Sequence, residues 1–253
     1  MSAPILAAAQ CTIRAGAIDT NLSLHLRFMA HARRQGVDLL LFPELSLTGY
    51  EPTLAEALAQ DLDSPLLTPL RNLAQQAAMT TVLGLPLRLA NHTKPVIAAV
   101  VFGADGSMSA YTKQHLHPGE ERHFSAGTGG DLLSIAGLPV ALSVCADFSH
   151  PEHAQQAARQ GARVYASSVL IGEGGYAHDS SLLQGYAKHH GMAVLMANHG
   201  GPTGGWAAAG RSAFWDEEGV CVAATAGTGD CLLIVSKTLN GWRGKEIASP
   251  ATA

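Results

Sequence analysis

Apolar residues recur along this chain in two alternating rhythms. Short continuous apolar runs, the mark of strands buried on both faces, occur at Ile5–Cys11, Leu39–Phe42, Thr80–Gly84, Val140–Cys145, Val164–Ala166 and Ala193–Ala197. Between several of them the spacing lengthens to three and four residues. A helix is predicted from an N-cap at Asn21 through Gln35, with Leu22, Leu26, Met29 and Ala30 on its buried face and Gly36 as its stop. Thr68 and Pro69 open a second helix to about Ala78, with Leu70, Leu73, Ala74 and Ala77 inward. A third runs from Pro151 to Gln160. A fourth, Tyr176–His190, turns Leu182, Leu183, Tyr186 and Ala187 inward.

Hairpins interrupt this alternation. Ala104-Asp105-Gly106 joins strands Val96–Phe102 and Met108–Lys113, and Gly137 joins Leu132–Ile135 to Val140–Cys145. Short meander strands are predicted at Ser212–Trp215, Val220–Ala224 and Cys231–Ser236, followed by a poorly ordered tail from about Leu239. Strands alternating with helices in both halves, without a linker or fixed repeat, predict mixed α/β layers in one domain over residues 1–253. The polar loops after Phe42, Cys145, Ala166 and Ala197 are placed to open on one sheet edge, where open α/β sheets bind ligands.

Composition narrows the function classes. The chain is 47% hydrophobic and 14% charged over 253 residues, enough for a sizeable core. A net charge of −4, a pI near 6.3 and the absence of a Lys/Arg block argue against a nucleic-acid or polybasic membrane role. No run approaches the roughly 18 apolar residues of a membrane span, and no signal-peptide pattern opens the chain, so a soluble cytoplasmic protein is expected. Cys11, Cys145, Cys221 and Cys231 lack paired spacing, which argues against disulfides and a cysteine zinc site.

Chemistry concentrates at three loops. Cys145 ends an apolar strand and is followed by Asp147, Ser149 and His150, a polar setting in which a thiol can be activated; Cys11, Cys221 and Cys231 sit in apolar strands and read as structural. Glu44 follows Leu39-Leu-Leu-Phe-Pro, where burial would raise its pKa toward that of a general base. Lys113 ends a strand and can face a thiol or an oxyanion. His115, His117, His123 and His150 leave a Cys–His pair or a metal site open, though no ligand motif surrounds them. The glycine-rich Asn198–Gly205 lacks the P-loop Lys-Ser/Thr and reads as a pocket-lining loop.

Together these stretches resemble the nitrilase superfamily of carbon–nitrogen hydrolases. The matching residues are Ala8-Ala-Gln10, Phe42-Pro-Glu44-Leu, Leu47-Thr-Gly-Tyr50, Gly84-Leu-Pro86, Tyr111-Thr-Lys113-Gln-His-Leu116, Gly119-Glu-Glu, Val144-Cys145-Ala-Asp147, Pro151-Glu152, Ala197-Asn198 and Gly210-Arg-Ser212. The resemblance implies a four-layer α-β-β-α sandwich and a Glu44–Lys113–Cys145 triad, with Glu120, chosen over Glu121, as a further glutamate beside the lysine. It implies thioester-forming cleavage of a small linear amide or N-carbamoyl compound, without metal or organic cofactor, in a homodimer or larger assembly. Nitrile hydrolysis by the same triad, or a silent binding protein that keeps the fold, are the alternatives. Ala146 and Ser149-His150 stand where the family often carries Tyr and Arg-Phe, and Lys94-Pro95-Val96 replaces a common Asn-Ser. Ala146, Ser149, His150 and Asn198 are accordingly the expected substrate-binding residues.

Overall fold

A computed structural model describes residues 3–249. The elements in order are β1 (Ile5–Gln10), α1 (Ile18–Arg34), β2 (Leu39–Leu41), α2 (Ala55–Leu58), α3 (Thr68–Gln76), β3 (Thr80–Leu87), β4 (Val96–Phe102) and β5 (Met108–Thr112). They continue with β6 (Leu133–Ile135), β7 (Leu138–Val144), α4 (Pro151–Arg159), β8 (Val164–Val169), α5 (Tyr176–His190), β9 (Ala193–Asn198), β10 (Ala213–Trp215), β11 (Cys221–Ala224), β12 (Cys231–Thr238) and β13 (Gly241–Ala248).

Among the described residues the strands form one sheet in the order β13-β12-β1-β2-β3-β4-β5 and a second in the order β11-β10-β9-β8-β7-β6. Each has a parallel centre: β1, β2 and β3 in the first, β7, β8 and β9 in the second. Side chains alternate across each strand, so both faces are buried, as the continuous apolar runs require. In the first sheet Leu6, Leu41 and Val82 face the second, meeting Val140, Leu142 and Leu195. Ala7, Leu40 and Leu83 face outward onto Phe28, Met29 and Leu70 of α1 and α3. In the second sheet Tyr165 and Val194 pack on Ala154, Leu183 and Tyr186 of α4 and α5. The layers are therefore α-β-β-α. Among the described residues no helix is long and apolar enough to cross a membrane.

Three expectations change. The buried face of α1 is Asn21, Leu24, His25, Phe28, Met29 and Ala32, and the helix begins at Ile18 rather than after a cap at Asn21. Asn21 and His25 are polar, so an apolar count placed the stripe wrongly. Residues 241–248 are not a loose tail: β13 pairs antiparallel with β12 from Cys231–Ala248 to Thr238–Gly241, with Trp242 packed on Phe214. As an edge strand, exposed at Arg243, Gly244, Lys245 and Glu246, β13 carries too little apolar alternation to be read in advance. Residues 250–253 of the expected tail lie outside those described. Cys221, expected to be buried, is exposed because β11 lies at the edge of its sheet.

Candidate active site

The C-terminal ends of the parallel strands converge between the two sheets. Ser168 at the end of β8 donates a 2.8 Å hydrogen bond to Phe42 O beyond β2, tying one edge to the other. Glu44 lies in the turn after β2. Gly84 of β3 passes directly beneath it: a Cβ there would stand 2.1 Å from Leu45 N and 2.8 Å from Glu44 C, so only glycine fits. Leu47 N donates to Gly84 O at 2.9 Å.

The buried polar residues of α1 hold the other side of this turn. Asn21 Nδ2 donates to Leu47 O at 3.0 Å. His25 Nδ1 faces Asn21 O at 2.7 Å, and its Nε2 faces Ser46 Oγ at 2.9 Å. Burial lowers the His25 pKa to about 4, so the ring is neutral. Nδ1, which faces a carbonyl, then carries the hydrogen, and Nε2 accepts from the Ser46 hydroxyl. From the second sheet, His199 Nε2 donates to Glu44 O at 2.7 Å. Burial pushes its pKa down to about 4 as well.

Lys113 follows β5, its N–H donating to Ile97 O and its carbonyl accepting from Gly127 N. The side chain is 0% exposed. Nζ donates to Glu44 Oε1 at 2.7 Å and to Glu120 Oε1 at 2.8 Å. Glu120 Oε1 also accepts from Tyr50 Oη at 2.8 Å, and its Oε2 accepts from His117 N at 2.8 Å. Glu121 points to solvent and accepts from Gly119 N instead. Of the two glutamates, the structure thus brings Glu120 to the lysine.

The electrostatics follow from one cation between two carboxylates in a dry site. Burial works against the Lys113 ammonium, but Glu44, the Cys145 thiolate form and Glu120 outweigh it and hold its pKa above the ordinary value. Burial raises Glu44 to about 7, with Lys113 opposing and Glu120 adding to the rise. Glu44 Oε2 is buried and has no hydrogen-bond partner among the described residues.

Cys145 opens a 3-10 turn, Cys145–Ser149, directly after β7. Its φ of 43° is left-handed, a strained conformation for a residue with a Cβ and one that recurs at nucleophile positions on strand-to-helix turns. Sγ lies 3.8 Å from Leu170 O. Burial and the Glu44 charge raise the thiol pKa, against Lys113, so the resting group is a neutral thiol. Its interaction with Glu44 draws the Glu44 pKa back down. None of the four loop histidines hydrogen-bonds Cys145; His115 instead stacks on His150 with ring centroids 3.9 Å apart.

Asp147, which lies outside the expected site residues, joins the lysine loop to the cysteine turn. Oδ1 accepts from Gln114 N at 3.0 Å and His115 N at 2.9 Å, immediately after Lys113. Oδ2 accepts from Val144 N at 3.0 Å, immediately before Cys145, and from Tyr111 Oη at 2.7 Å. The network continues through His153 to Tyr165. The sequence signal was an acidic residue two places after the candidate cysteine.

A cavity of about 570 Å³ opens over this cluster, within the range of small-molecule sites. Glu44, Glu120, Cys145, Ala146 and Ser149 line it, with Tyr50, Phe148, Leu170 and Trp206 as an apolar wall. Two expected binding residues are absent from the wall. His150 is exposed and held on His115. Asn198 is buried, its amide spent on Ile171 N, Ile171 O and Gly210 O, so it shapes the 170–172 loop and does not line the cavity. Among the described residues no group of three or more His, Cys, Asp or Glu is placed to hold a metal ion.

Comparison with known proteins gives a consistent picture. The family described as carbon-nitrogen hydrolase matches residues 5–244. A (R)-stereoselective amidase of Pseudomonas sp. is 28% identical over 209 residues, 79% of this chain and 74% of that protein. A hydrolase of Mycobacterium tuberculosis is 28% identical over 160 residues; the match spans 61% of this chain and 57% of the mycobacterial protein's length. Among solved structures, a double mutant of the amidase from Nesterenkonia sp. AN1 in complex with acrylamide superimposes with a TM-score of 0.86 at 28% identity, covering 95% of this chain and 92% of that one. Another mutant of that amidase, with a TM-score of 0.84 at 30% identity over 93% of this chain and 90% of its own, carries the acetamide moiety of fluoroacetamide covalently at its active site cysteine. With a match over nearly its whole length, the chain belongs to the carbon-nitrogen hydrolase family of the nitrilase superfamily, on its amidase-like branch.

Proposed function

We propose that this protein hydrolyses the carbon–nitrogen bond of a small amide, with Cys145 as nucleophile, Glu44 as general base and acid, and Lys113 as oxyanion donor. The observation that carries this is the unpartnered Glu44 Oε2, buried beside a strained Cys145 and across from Lys113.

With a pKa near 7, Glu44 is poised to exchange protons at neutral pH. The Cys145 thiol proton passes to Oε2 as Sγ attacks the amide carbon. The carbonyl oxygen becomes an oxyanion held by the Lys113 ammonium and the Ala146 N–H, which belongs to the first turn of Cys145–Ser149 and has no acceptor within that turn. Glu44 then returns the proton to the leaving nitrogen, the C–N bond breaks, ammonia departs and a thioester remains. Water attacks the thioester while Glu44 takes one of its protons. Collapse expels the Cys145 thiolate, which recovers that proton, and the carboxylic acid leaves.

Glu120 acts on Lys113. With Glu44 it holds Nζ between two carboxylates, whose charges oppose the effect of burial on the ammonium. The amides named in complexes of the similar amidase, acrylamide and butyramide, support a small-amide substrate here. The same reading takes the chain as one catalytic domain acting in the cytoplasm as a homodimer or larger assembly. A core shared by both sheets supports the single domain, and four free cysteines fit a reducing compartment.

The test is ammonia release from a panel of amides, N-carbamoyl amines and nitriles, with Cys145→Ala alongside. Amide turnover lost in Cys145→Ala, with unchanged circular dichroism, supports the assignment. Turnover persisting in that variant overturns it.

A further inference from the structure

The cavity over Cys145 has further acidic lining. Glu173 and Asp179 line it on the loop before α5 and in the first turn of that helix. Glu173 is neutralised by an ion pair with Arg211, whose guanidinium lies over the Tyr176 ring. Asp179 is not neutralised. Its carboxylate makes no hydrogen bond or ion pair among the described residues, and burial without a cationic partner raises its pKa, with His178 as the only offset. Gly175 leaves the carboxylate uncovered: a Cβ at that position would stand 3.1 Å from Asp179 Oδ2. The positive end of the α5 dipole favours an anion there but supplies no counter-ion.

The rest of the wall has the same sign preference. Among the described residues no lysine or arginine lines the cavity, and Lys113 beneath it is already shared by two carboxylates. His117, the basic side chain on the wall, packs edge-on against Trp206 with its Nδ1 at Pro118 O. Trp206 itself is 47% exposed where it lines the cavity. Glu44 Oε2, buried and unpartnered beside Cys145, marks the reacting centre.

We infer that the cavity takes an amide whose acyl chain ends in an ammonium or guanidinium group, with the amide at Cys145 and the cation at Asp179. This rests on the reading of the site as an amidase. A carboxylate at the same end of the substrate would meet Asp179 with no cation to bind it, so ω-carboxylate amides are excluded. Neutral alkyl amides bind through the apolar wall alone.

The test compares 5-aminopentanamide, hexanamide and glutaramate, three amides of similar length whose far ends are cationic, neutral and anionic. A charge-assisted hydrogen bond in a partly desolvated site predicts kcat/KM for 5-aminopentanamide about tenfold or more above hexanamide, with glutaramate lowest. In Asp179→Asn the ratio of the first two falls toward one, and in wild type it narrows as salt is raised. Equal or better turnover of hexanamide by wild type, or an undiminished ratio in Asp179→Asn, overturns the inference. Calorimetric binding of the same three compounds to Cys145→Ala separates the two readings. A cation preference in binding with no hydrolysis by wild type keeps the subsite and removes the amidase. Hydrolysis without a cation preference does the reverse.

Discussion

Gly84→Ala is the substitution that most directly tests how Glu44 is held. The added Cβ would lie 2.1 Å from Leu45 N and 2.8 Å from both Glu44 C and Pro43 O, all of them backbone atoms that no rotamer change can move away. Real Cβ atoms essentially never come closer than 3.0 Å, so the Glu44 turn must retreat by about 0.9 Å or β3 must bend. The turn is clamped by Asn21, Ser46 and His199, so its freedom to relax is small. Overpacking of this kind costs about 1–3 kcal/mol, which for a chain of this length lowers Tm by roughly 2–4 °C per kcal/mol. A misplacement near 1 Å at a reacting group costs about 100-fold in rate. We therefore expect amide kcat/KM to fall about 100-fold while the protein still folds. Gly185→Ala in α5 is the control. A Cβ there meets nothing within 4 Å, and the exchange should raise stability by about 0.4–1 kcal/mol with no change in rate. The assay is ammonia release under saturating and limiting amide, paired with thermal unfolding. A Gly84→Ala protein with the wild-type rate would refute the claim that glycine at this position fixes the carboxylate.

Three further outcomes follow from the site. Glu44 must be ionised to accept the thiol proton, so kcat/KM should climb as pH rises through about 7, and a flat profile between pH 5 and 9 would remove Glu44 as base. Asp147→Asn replaces one acceptor oxygen by an amide nitrogen and leaves two of its donors unpaired, at about 1–3 kcal/mol each; unfolding should shift down and amide turnover fall, and unchanged stability would deny its role as the clasp between Lys113 and Cys145. Iodoacetamide at neutral pH should modify Cys145 in a Cys221→Ser background, with a rate that follows the Glu44 ionisation; peptide mapping that finds Cys145 unmodified counts against an activated thiol.

Much of this arrangement can be read from the chain itself. Continuous apolar runs identify the central strands because a parallel strand between two covered faces has no polar side to show. The hairpin Val96–Phe102 to Met108–Thr112 follows from Asp105-Gly106, since φ at Gly106 is +82°. Glu44, Lys113 and Cys145 each announce themselves as polar residues at the ends of apolar strands. What a linear reading cannot supply is which polar residues are buried together. Asn21 and His25 look like solvent-facing helix positions until Leu47 and Ser46 arrive from another element to satisfy them. Asn198 looks like a ligand contact until its amide is seen to be consumed by Ile171 and Gly210. Asp147 becomes a clasp, and Asp179 an unpaired charge, only when residues distant in the chain close around them. Local periodicity and residue chemistry give the mixed α/β layering and offer Glu44, Lys113 and Cys145 as candidates; the four-layer order and the grouping of the three into one site are what the family resemblance implies. The tertiary structure alone decided their partners, their burial and therefore their protonation, because those depend on contacts between segments far apart in the chain.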